Sequence, residues 1–158
     1  MQKPAYLRTV AFIVSAAAAA TIPGSAAGID GLHYLAGSWK CTYRAGAVHL
    51  PYATTYAYDR SGHILRQVAS WTGGGDEELL GYDAQHGRWN AVVVDDQGNA
   101  TVMRATGSDP KHIAYHGVYP DASISVTFDR ISATEYTLHV TVHSGGKTIT
   151  SVDTCLRA

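Results

Sequence analysis

The sequence predicts an all-β fold: one antiparallel up-and-down barrel of about ten strands, with a short N-terminal helix, behind a cleaved signal peptide. Three observations carry this reading. Runs rich in Val, Ile, Thr, Tyr and Trp recur roughly every ten to fourteen residues, cut by Gly, Asp, Asn and Ser turns. Beyond Gly37 there is no convincing 3.6-residue periodicity and no internal repeat, which argues against βαβ units and propeller blades. The two cysteines, Cys41 and Cys155, fall in the first and last predicted strands.

Length and composition agree. The chain has 158 residues, 46% hydrophobic and 16% charged, which fits one domain with a real core rather than a disordered segment. The formal net charge is -1, so no basic surplus exists to neutralise a phosphate backbone, and no nucleic-acid partner is expected.

Residues 1–27 have the layout of a secretory leader. Lys3 and Arg8 precede an apolar run over residues 9–20, Pro23 and Gly24 break it, and Ser25-Ala26-Ala27 supplies small residues for cleavage. The run is too short to span a bilayer core of roughly 30 Å. The expected mature domain is 28–158, secreted or periplasmic, with no stable membrane anchor.

In chain order, residues 29–36 read as a short helix with Asp30 as N-cap and Gly37 as its stop. Strands are expected at 38–44, 52–58, 63–72, 78–83, 88–95, 99–106, 112–118, 122–129, 134–143 and 147–156. Hairpin-length connections predict antiparallel pairing of neighbours. Alternation is cleanest in the eighth strand, where Ala122, Ile124, Val126 and Phe128 share a face. It is as clean in the ninth, where Tyr136, Leu138, Val140 and Val142 do. Exposed edges disappear if the sheet closes. An exported chain meets an oxidising compartment, and a Cys41–Cys155 disulfide would clamp the seam of a closed meander. A two-sheet sandwich is the competing topology.

The segment Leu32-His33-Tyr34-Leu35-Ala36-Gly37-Ser38-Trp39 resembles the opening of lipocalin-like, or calycin, barrels, in which a short helical turn leads through Gly-x-Trp into the first strand. Gly81-Tyr82-Asp83-Ala84-Gln85-His86-Gly87-Arg88-Trp89 is similar to the middle of a lipocalin-like family of unknown function. The resemblance implies a barrel that binds small, often apolar molecules inside. It extends more distantly to nitrobindin-like barrels, which bind haem through a His on the last strand. Here residues 147–156 contain no His, so that haem site is not expected.

Little else in the chain points to chemistry. His112 and His116 share one strand face, as do His139 and His143, but each pair is separated by about 13 Å and cannot chelate one ion alone. No HExxH, His-x-His, G-x-S-x-G or cysteine cluster is present, and no metal site or cofactor is expected. Asp76-Glu77-Glu78, after three glycines, reads as a solvated hairpin, and Asp153 as an outward carboxylate.

The remaining signal is a set of large aromatics with small and semi-polar residues on shared strand faces. The expected ligand site is Tyr56, Tyr58, Trp71, Trp89 and Met103, because rigid rings bring contact area and Met adapts to shape. The leading reading is an exported monomer that binds a small, mostly apolar molecule without turnover. Two alternatives stand beside it: an isomerase, lyase or hydrolase on the same scaffold, and an interaction module with a filled core.

Overall fold

A computed structural model of the chain describes residues 28–120 and 123–158. The expected leader, residues 1–27, lies outside them, as does Ala122 at the expected start of the eighth strand. Ten strands follow one helical segment: β1 Gly37–Ala45, β2 Val48–Tyr58, β3 Ile64–Trp71, β4 Gly74–Asp83, β5 Arg88–Asp95, β6 Ala100–Thr106, β7 His112–Tyr119, β8 Ile124–Arg130, β9 Glu135–Ser144 and β10 Lys147–Arg157. Each strand pairs antiparallel with its chain neighbours, and β1 pairs with β10, so the barrel is closed rather than split into two sheets. Closure pairs the ladder groups that an open meander would leave at its edges.

The seam is fixed covalently. Cys41 and Cys155 are directly opposite in the β1–β10 register, 4.1 Å apart at Cα, and their disulfide is buried inside the wall. The bridge joins positions 114 apart in the chain, so it constrains nearly the whole domain when unfolded.

The helical segment is a 3-10 helix, Ile29–Leu35. Asp30 is not its N-cap. Gly28 holds that position, no side chain caps the end, and Gly31 N–H donates to the Gly28 carbonyl at 2.9 Å. A three-residue period suits this stretch, because Ile29, Leu32 and Leu35 then fall in one line. All three are buried across one end of the barrel.

Two strands begin earlier than the sequence predicts. β2 starts at Val48 and β4 at Gly74, where a loop was expected up to residue 77. The glycines of β4 are there for proximity. A Cβ on Gly75 would stand 2.6 Å from the Ala69 carbonyl oxygen, so only glycine lets β4 approach β3 at that point. Two residues on, Arg66 on β3 donates two hydrogen bonds to Glu77 on β4, at 2.7 and 2.6 Å. Glu77 therefore faces outward, and the pleat turns its neighbours Asp76 and Glu78 inward.

The end beneath the 3-10 helix is filled. Trp39 is buried and donates its indole N–H to the Leu35 carbonyl at 2.7 Å. It meets Tyr136 edge-on at 4.9 Å, and Phe128 stacks on Tyr136 at 5.0 Å. Arg157 lies over the Trp39 ring at 4.5 Å and donates to the carbonyls of Ala36 and Tyr34. Tyr34 reaches the Pro110 carbonyl at 3.0 Å, with Arg130 over its ring at 4.1 Å. The helix is thus strapped to β1, β10, the β6–β7 connection and β8. Trp39 acts as an end plug and a core aromatic at once.

Candidate functional site

Above this filled end the barrel is hollow. A cavity of about 610 Å³ occupies its interior, within the size range of small-molecule sites. Its floor includes Leu32 and Leu35. Its walls are mainly apolar, with Leu80, Val93, Ile113, Val126, Leu138 and Val140 among them. Val48, Leu50 and Trp71 line it at the opposite end and are substantially exposed, so the cavity opens to solvent there. The alternation of each strand explains the lining: the even residues of β2, β4, β8 and β9 and the odd residues of β3, β7 and β10 point inward.

Three of the five expected ligand residues, Tyr56, Trp71 and Met103, line the cavity. Tyr58 and Trp89 do not. They share the inward faces but sit at the closed end. Tyr58 donates to the Ile29 carbonyl at 2.8 Å and packs on His33, while Trp89 is buried against Tyr82 at 4.7 Å. The same pleat serves both ends, so facing inward does not distinguish a plug residue from a lining residue.

The cavity also holds polar groups that the sequence reading placed in water. Asp76, Glu78 and Asp153 all line it. Asp153 is not outward-facing. Its Oδ2 accepts a hydrogen bond from the Tyr52 hydroxyl at 2.8 Å, and its buried Oδ1 has no partner. It shares the inward face of β10 with Cys155, two residues away, a parity already visible in the sequence. Asp76 and Glu78 are not hairpin residues. They share the parity of Leu80, so counting back from that buried residue in steps of two would have found them. What hid them was the Gly-rich start of β4, whose composition reads as a turn.

Burial shapes the titration of these carboxyls. The Glu78 carboxyl is pushed up to about 8, first by burial and then by the nearby Asp76 charge. Asp76 is pushed up to about 6 by burial and by the charges of Asp153 and Asp95. Asp153 is raised by burial, with the Tyr52 hydrogen bond opposing. Phenols surround the carboxyls. Tyr56 and Tyr136 hydroxyls share a hydrogen bond of 3.1 Å, and both are raised, chiefly by burial. The buried Tyr115 hydroxyl has no partner.

The histidines play no part in this interior. His112 pairs with Asp129 at 2.5 Å and His86 with Asp83 at 2.7 Å, both exposed. Among the described residues no cluster of His, Cys, Asp and Glu is arranged to hold a metal ion. No helix among them is long and apolar enough to cross a membrane.

Comparison with known proteins adds the fold and little more. No family model matches the chain, and no curated protein is significantly similar to it in sequence. Solved structures do match. One is the S-type phycobiliprotein lyase CPES from Guillardia theta, 11% identical, with a TM-score of 0.55 over 82% of this chain and 91% of that chain. At that identity the likeness carries the barrel architecture alone, and it does not point to the nitrobindin type in particular.

Proposed function

We propose that this chain is an exported barrel that takes a small, mostly apolar molecule into its cavity and holds it without chemical turnover. The observation that supports this most is the cavity itself, about 610 Å³, apolar along most of its wall and open at one end. A filled-core interaction module has no such space to explain. The likeness to a phycobiliprotein lyase supports the barrel architecture on which this reading stands. Export rests on the leader-like residues 1–27 and is compatible with the disulfide.

A second reading, an isomerase, lyase or hydrolase on the same barrel, draws on one specific feature. Tyr52 and Asp153 are titratable groups in direct contact inside the cavity, and Glu78 is pushed up to about 8, near the pH at which a general acid–base works best. Native mass spectrometry of the protein purified from its own host separates the two. A stoichiometric, chemically intact small molecule released on denaturation supports the binding reading. A bare protein that converts molecules from a host extract contradicts it in favour of the enzyme.

A further inference from the structure

The cavity is apolar in area but one-sided in charge. Three carboxyls line it, Asp76 and Glu78 on β4 and Asp153 on β10, and among the described residues no Lys, Arg or His does. Elsewhere on the barrel several carboxylates have a cationic or imidazole partner: Glu77 has Arg66, Asp83 has Arg88, and Asp129 has His112. Inside, the only hydrogen bond to any of the three is from Tyr52 to Asp153, among the described residues. Glu78 is half-buried and has no hydrogen-bond partner among them. It is one of the residues that line the cavity.

Two further atoms show that the polar set is incomplete. Tyr115 is only 6% exposed, lines the cavity beside the field of Glu78, and its hydroxyl has no partner. Asp153 Oδ1 is likewise buried and unpartnered. Unpaired buried polar atoms cost free energy unless something fills their hydrogen bonds, so a group that arrives with donors has an advantage there.

Resting on the ligand-binding reading above, we infer that the molecule this cavity takes is an organic amine, an apolar body carrying a protonated nitrogen held by the carboxyls that line it, Asp76, Glu78 and Asp153. An ammonium group supplies three donors and no acceptor, which complements a set made of carboxylates and a hydroxyl. A carboxylate head would meet three acids and no cation. A hydroxyl head would supply a donor but leave the carboxyl charges uncompensated. The apolar walls and the Leu32–Leu35 floor take the body of the molecule.

The test is calorimetric titration at about pH 8.5 with three probes of equal chain length: decylamine, decanol and decanoate. Decylamine is expected to bind at least about tenfold more tightly than decanol, with decanoate weakest. Glu78→Gln should lower decylamine affinity about tenfold or more and leave decanol nearly unchanged, with thermal melting confirming the fold. Decanol binding as tightly as decylamine overturns the amine inference and leaves the ligand-binding reading standing. So does an amine preference that persists in the double variant Glu78→Gln/Asp153→Asn. Failure of all three probes to bind overturns both.

Discussion

The two ends of this barrel are built from the same alternation and come out differently. At the closed end, inward positions carry large rings that fill space and satisfy one another, as Trp39 does with Leu35 and Tyr136. Towards the mouth, inward positions carry branched aliphatics and carboxyls that leave about 610 Å³ open. Side-chain volume along one face therefore decides where the barrel is filled and where it is hollow. The closed end is packed and strapped, although the Trp89 indole nitrogen stays unpartnered there; towards the mouth the unpartnered atoms are those of Asp153 and Tyr115.

The comparison breaks most sharply at the plug. Trp39→Ala should cost about 3–5 kcal/mol of stability, because the lost ring leaves a void under the 3-10 helix. Denaturant unfolding measures it, and a loss below about 1 kcal/mol would mean the closed end is not what holds the barrel. Replacing both Cys41 and Cys155 by Ser should cost about 2–5 kcal/mol, read as a fall in melting temperature, since the bridge closes nearly the whole chain.

The hollow end should respond in the opposite direction. Glu78 keeps its proton in the folded state up to about pH 8 but has an ordinary carboxyl value of 4.5 when unfolded. Between those values the folded state binds more protons than the unfolded one. Its contribution is therefore fully present below about pH 4.5 and lost as pH rises to about 8. Asp76 acts with the same sign between 3.8 and about 6. Melting temperature should fall across this window. Glu78→Gln should flatten the fall and stabilise the protein by roughly 2–3 kcal/mol above pH 8, discounted for its cavity-facing surface. A Glu78→Gln variant that melts lower than the parent at that pH would place a compensating partner beside Glu78.

Much of the architecture is legible in the sequence. The turn signals give ten strands in order, and the clean alternation of 124–128 and 136–142 fixes their inward faces. The position of two cysteines at the chain ends gives the seam. Less of the site is legible. Tyr56, Trp71 and Met103 line the cavity, but Tyr58 and Trp89 belong to the plug, because parity specifies a face and not a height along the barrel axis. The carboxyls escaped for another reason. A run of glycines before Asp76 looks like a loop until the close approach to Ala69 is seen, and an Asp facing inward, as Asp153 does, is the less frequent arrangement.

The smallest expected stability effect is at the rim. Trp71 is 40% exposed and lines the mouth, so Trp71→Ala should change stability by no more than about 0.5 kcal/mol. It should still weaken a bound apolar molecule by about 1–3 kcal/mol, through lost ring contact. Thermal melting and titration on the same sample separate these effects. A large stability loss with unchanged binding would make Trp71 a structural residue like Trp39.

The central claim is that the hollow half is a binding site, and cavity filling tests it most directly. Val126 lines the cavity, and Val126→Trp would occupy part of the open volume. The measurement is fluorescence titration with the neutral apolar probe N-phenyl-1-naphthylamine, on the parent and on this variant. The account predicts saturable binding of about one equivalent by the parent and its loss in Val126→Trp, with both proteins folded. Binding that is undiminished in the filled variant, or a parent that binds no probe, would contradict it.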